Sequence, residues 1–120
     1  AGKLLDKLFI ANSLLRESVY ITNIVKRRPP QNRDPLPEEI DAYRPYLKKQ
    51  IQIINPEIIA PLGRFAMNYF LPLAKISLDH GKAYTLNGKI IFPLYHPAAA
   101  LRSTSVLNEL EKDFKKLSRI

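Results

Sequence analysis

Lys89-Ile-Ile-Phe-Pro-Leu-Tyr-His-Pro-Ala-Ala-Ala-Leu-Arg102 joins an apolar run directly to a polar turn. Lys89 to Leu94 reads as a strand, and Tyr95 to Arg102 follows it at once. Upstream, Glu57-Ile-Ile-Ala-Pro-Leu62 reads as a buried strand, with Gly63 as its turn and a short helix over Arg64 to Phe70. Still earlier, Val19-Tyr-Ile-Thr-Asn-Ile-Val25 is rich in β-branched and aromatic residues and reads as another buried strand. Helical periodicity fills the intervals. Leu4, Leu5, Leu8 and Phe9 share a face within Lys3 to Ala11, and Asn12 to Ser18 reads as a loop. Ile40, Tyr43, Leu47, Ile51 and Ile54 line a helix that opens on Glu38 and Glu39, is expected to kink or restart at Pro45, and stops at Asn55-Pro56. Leu107, Leu110, Phe114 and Leu117 line a last helix from about Ser105 to Leu117. From Ile76 to Gly88 the pattern is weak, with a short ribbon around Lys82 to Leu86 before the Asn87-Gly88 turn signal. Strands alternating with helices predict an α/β fold, a parallel sheet with helices on both faces.

The chain of 120 residues, 46% of them hydrophobic, is sized for one domain with a real core. It has no cysteine, which excludes disulfides, thiolate metal sites, thiol catalysis and cysteine-ligated clusters built from these residues. No apolar stretch approaches the ~20 residues needed to cross a bilayer, and the first residues do not read as a signal peptide. Nineteen Lys and Arg against eleven Asp and Glu give a net charge of +8, the balance a polyanion-binding surface requires. Part of that charge lies in Lys26-Arg-Arg-Pro-Pro-Gln-Asn-Arg-Asp-Pro-Leu-Pro37, a long loop holding four of the ten prolines.

Open parallel sheets bind ligands beyond the carboxyl ends of their strands. Asn23 stands near the end of the first predicted strand and His96 just after the third, so neighbouring strands bring the two to one crevice. Taken singly, Asn23 also reads as a strand-end amide pairing with nearby backbone, His96 as a structural loop histidine and Arg102 as a solvated arginine.

The run from Val19 to Ile40, with Asn-Ile-Val-Lys-Arg-Arg-Pro-Pro-Gln-Asn-Arg-Asp at its centre, resembles the middle motif of the family 4 uracil-DNA glycosylases. Tyr43-Arg-Pro-Tyr-Leu47 continues it, and Leu62-Gly-Arg-Phe-Ala66 resembles the family's next strand-to-helix turn. Tyr95-His-Pro-Ala-Ala-Ala-Leu-Arg102 resembles its C-terminal signature, and Ala1-Gly-Lys-Leu-Leu-Asp6 its first helix. The resemblance implies a three-layer fold with a short parallel sheet flanked by helices, residues 1–120 forming a single, N-terminally incomplete domain without the first strand. It implies a base-flipping repair enzyme acting on uracil in DNA. Asn23 would read the uracil edge and His96 would stabilise the leaving uracil anion. Pro97, Leu101 and Arg102 would be DNA-binding residues on the segment facing the minor groove, and Lys26, Arg27, Arg28 and Arg33 would contact phosphates.

Two departures from the family carry consequences. Its water-positioning glycine-rich motif and its uracil-stacking Phe precede the position of Ala1, so an upstream segment or a second chain is expected to complete the sheet. Its iron–sulfur cluster is held by four cysteines, and the two positions falling within this chain are Arg27 and Tyr43. The cluster is therefore expected to be absent, with no other metal and no cofactor. Where the family usually has Arg, before Gly81, this chain has His80, read as a solvated surface residue. A cytoplasmic, nucleoid-associated prokaryotic setting without membrane contact completes the expectation.

Overall fold

The computed structural model describes residues 2–24 and 34–120. Val25 and the basic residues Lys26, Arg27, Arg28 and Arg33 lie outside the described residues. The chain runs through α1 (Gly2–Ala11), a 3-10 turn (Arg16–Ser18), α2 (Pro37–Ile54), β1 (Ile58–Ile59), α3 (Gly63–Phe70), α4 (Ile76–Asp79), β2 (Tyr84–Leu86), β3 (Lys89–Ile91), α5 (Pro97–Ala100) and α6 (Thr104–Leu117).

Among the described residues the sheet has the order β1-β3-β2, with β3 in the middle. β1 pairs with β3 in parallel, Ile58 opposite Ile90 and Ile59 opposite Ile91, and an isolated parallel bridge joins Leu62 to Leu94. β2 and β3 form an antiparallel hairpin. Its turn is Asn87-Gly88, both at positive φ (51° and 78°), the conformation a tight two-residue hairpin requires. Pro93 has no N–H to donate and so ends the ladder on the β2 side; its carbonyl instead accepts the Gly81 N–H at 2.8 Å.

Phe92 and Leu94 leave one face of the sheet and pack into Leu8, Phe9, Ala100, Leu110 and Phe114, with the Phe9 and Phe114 rings edge to face at 5.7 Å. Ile91, of opposite parity, is equally buried on the other side. Ser103 caps α6 by accepting the Val106 N–H, and Lys115 and Lys116 sit in its last turn, where the helix dipole favours cations. α2 begins with the Glu39 carboxylate accepting the Leu36 N–H at 2.8 Å and ends at Asn55, left-handed at φ 49°.

Three expectations are corrected. Residues 19–24 form no strand: the backbone is extended at Val19, but Tyr20, Ile21, Thr22 and Asn23 are exposed and pair with no sheet neighbour. A cleft separates this segment from β1, so the ladder bonds that would make it a strand have no partner within reach. Thr22 instead donates to the Gln50 side chain on α2 at 2.8 Å. Second, α2 does not restart at Pro45 but runs on through it, although proline withholds one backbone donor there. Third, the weak stretch after Ile76 holds the short helix α4. Among the described residues no helix is long and apolar enough to cross a membrane.

Candidate functional site

The cleft between residues 19–24 and the sheet measures about 810 Å³. Ile58, Ile59, Ala60 and Leu62 line it from β1 and its extension, Leu47, Ile51 and Ile54 from α2, and Ala66 and Phe70 from α3. The carbonyls of Glu57, Ile59 and Pro61 accept N–H groups of β3 and its extension, at 2.8 to 2.9 Å. Backbone groups alternate sides along a strand, so those of Ile58 and Ala60 turn towards the cleft. Of the α2 stripe only Leu47 is buried; Ile54 remains 41% exposed. The cleft is therefore an apolar slot beside a sheet edge that is unpaired among the described residues.

Asn23 and His96 both line this cleft, one from the extended wall and one from the strand-to-helix turn. Both are exposed. The Asn23 Oδ1 accepts the Ile24 N–H at 2.9 Å, which restrains the carboxamide and leaves its oxygen a second lone pair.

His96 is the N-cap of α5, and its Nδ1 accepts the Ala98 N–H at 3.0 Å. An Nδ1 that accepts is unprotonated, which in the neutral ring puts the proton on Nε2. Pro97 occupies the first helical position, where its fixed φ suits the helix and its missing N–H costs nothing. It is buried, so its part is to set the direction of α5 rather than to offer surface.

Sequence reasoning read Gly63 only as a turn, yet it supports the histidine. Gly63 has φ 84°, its N–H donates to the Leu94 carbonyl at 2.8 Å, and a Cβ placed on it would stand 3.1 Å from the His96 Cβ. The one signal in the sequence was a glycine directly after an apolar strand.

Leu101 (63% exposed) and Arg102 (also exposed) occupy the turn between α5 and α6. Arg64, in the first turn of α3, pairs with Asp34 at 3.0 Å and so links the end of the proline-rich segment to α3; both groups are well exposed and the pair adds little stability. Tyr43 is half-buried, its hydroxyl accepts from Gln50 Nε2 at 3.4 Å, and its ring stacks on Tyr46 at 5.7 Å. A phenol in that role, in a chain with no cysteine, does not fit thiolate ligation of an iron–sulfur cluster. Chemically, the cleft offers an amide and an imidazole N–H above apolar walls, a combination suited to a flat ring with polar edges.

The sequence model of the family described as "Uracil DNA glycosylase superfamily" matches residues 1–118. A Type-4 uracil-DNA glycosylase of Archaeoglobus fulgidus is 43% identical over the whole chain, which covers 65% of that protein. One of Sulfurisphaera tokodaii is 45% identical, again over the whole chain, which covers 59% of it. A DNA polymerase of Bacillus phage SP01 is 34% identical over 87% of the chain, a match occupying 11% of the polymerase. The chain thus spans about three fifths of the length of the two glycosylases.

Proposed function

The chain belongs to the uracil-DNA glycosylase superfamily, and from that premise we propose that it serves DNA repair by hydrolysing the N-glycosidic bond of a uracil flipped out of DNA into the cleft. The observation that carries the proposal is that Asn23 and His96, far apart in sequence, line one opening. Extrusion is required because the bond is inaccessible inside the base stack. Asn23 Nδ2 donates to uracil O4, and the spare lone pair of Oδ1 accepts from N3–H. Cytosine presents the inverted pattern, leaving each mismatched group unsatisfied at a cost of ~1–3 kcal/mol. His96 supplies a neutral Nε2–H to the charge that gathers at uracil O2 as the bond breaks. Leu101 fills the space the base vacates, while Arg102 and the basic residues Lys26, Arg27, Arg28 and Arg33 contact phosphates. Neither an iron–sulfur cluster nor another cofactor takes part.

The open edge at Ile58 and Ala60 is the place where an extended segment, from a longer polypeptide or from a second chain, completes the sheet. A dimer in sedimentation would favour a second copy; a monomer that gains stability when expressed within a longer chain would favour the former.

The function is tested with single-stranded and duplex oligonucleotides carrying one uracil. Abasic sites that form with the unmodified chain, or with a longer polypeptide containing it, and are lost in Asn23→Ala and His96→Ala would support the enzyme. A second reading draws on the open sheet edge and on the relative that is part of a DNA polymerase: a glycosylase fold kept as a DNA-binding or docking module. Salt-sensitive DNA binding without base release, indifferent to both substitutions, would favour that reading.

A further inference from the structure

On the side of β3 away from β1, α6 carries Glu109 and Asp113 one turn apart, so both carboxylates leave the same face of the helix. His80, at the end of α4, stands across from them, and one ligand atom from each of the three lies within 4.8 Å of the others. Asp113 is 2% exposed, while His80 and Glu109 are partly buried. His80, read from the sequence as a solvated surface residue, is instead 15% exposed at its side chain, with Nδ1 hydrogen-bonded to Asp113 Oδ2 at 2.6 Å.

The seat depends on a glycine. A Cβ on Gly81 would fall 2.1 Å from Asp113 Oδ1, so only the absent side chain admits the carboxylate. The His80 ring also lies against Tyr95 at 4.5 Å, which leaves it little freedom. Charge at the cluster is one-sided. Two carboxylates face one imidazole, and Lys112, the ionic partner of Glu109, stands 3.8 Å away and is 71% exposed.

We infer that His80, Glu109 and Asp113 form a binding site for a first-row divalent cation of the zinc class. Imidazole nitrogen with carboxylate oxygen is a donor set such ions accept, at ~2.0–2.2 Å. Bonds of that length set ligand atoms roughly 3.4 Å apart. A hydrogen bond holds His80 Nδ1 and Asp113 Oδ2 closer than that, so the cation takes the place of the shared proton, which is released as the two atoms part. The half-exposed Glu109 side chain closes the remaining distance. Coordination ties the turn after α4 to α6, directly behind the exit of β3. The inference is independent of what the cleft binds.

The chain, freed of metal with EDTA, is titrated with ZnCl2 by calorimetry, with CoCl2 by visible absorption, and by thermal unfolding with and without ZnCl2. One equivalent of zinc should bind and raise the unfolding temperature, and cobalt should develop visible d–d bands. Glu109→Gln, at a position exposed enough to leave folding intact, should weaken zinc by about tenfold or more, and His80→Gln should remove the cobalt bands. His96→Ala, which alters the other of the two histidines, should leave metal affinity unchanged. Absence of zinc binding in the unmodified chain would overturn the assignment. So would affinity lost in His96→Ala but kept in Glu109→Gln.

Discussion

At Gly63 the backbone turns through φ 84° with the His96 Cβ against it. An alanine there must hold a left-handed conformation and also push the imidazole aside. Gly63→Ala should therefore cost about 1–3 kcal/mol in chemical denaturation and lower uracil release beyond what the lost stability explains. A variant as stable and as active as the parent would show that the glycine only makes a turn. For His96 itself, the accepted Ala98 N–H places a donor on Nε2, so the role proposed for it is a matter of tautomer and aim.

At the scale of elements, α4 and the β2–β3 hairpin are joined by the Tyr84 hydroxyl, which donates to Asp79. That bond, followed by the Lys75 N–H, holds the Asp79 carboxyl below its ordinary value, and the same bond raises the Tyr84 phenol. A depressed carboxylate stabilises the fold above its unfolded value, and a raised phenol stabilises it below its own. The stability advantage of the native chain over Tyr84→Phe should thus be level through neutrality, shrink as pH falls below 3.8, and shrink again above 10.0. An advantage unchanged at pH 2.5 would mean that the bond contributes nothing. Deeper in, Phe114→Ala should cost ~3–5 kcal/mol, because Phe114 is 1% exposed and anchors α6 to α1.

These elements differ in how openly the sequence declares them. Ile90, Ile91 and Phe92, the Asn87-Gly88 turn and the Leu107, Leu110, Phe114 stripe are local signals, and the structure follows them. Val19 to Ile24 carried an equally strong local signal and formed no strand, because pairing is decided by a neighbour and not by composition. The approach of His80 to Asp113 has no local signal, since those residues meet only after α6 folds back over the turn that follows α4. That Asn23 and His96 come to one cleft was legible by resemblance; the Gly63 support beneath His96 and the Thr22–Gln50 tether beside Asn23 were not.

For the whole molecule, a charge of +8 predicts that DNA binding weakens steeply with salt. Arg102→Ala should reduce the slope of log affinity against log salt by about 1, with no change in base preference. An unchanged slope would remove Arg102 from the DNA surface. Among the described residues the β1 edge is unpaired and the α2 stripe half-covered, so Ile58 and Ala60 amides should exchange with solvent faster than those of β3, a difference hydrogen exchange reads directly.

The central claim is that one nucleobase is held by Asn23 and His96 together, and nitrogen-15 NMR with free uracil examines it without requiring turnover. Both the Asn23 Nδ2 and the His96 Nε2 resonances should move on one binding curve, and cytosine should move neither. Independent curves, or a response from one side chain alone, would contradict the account.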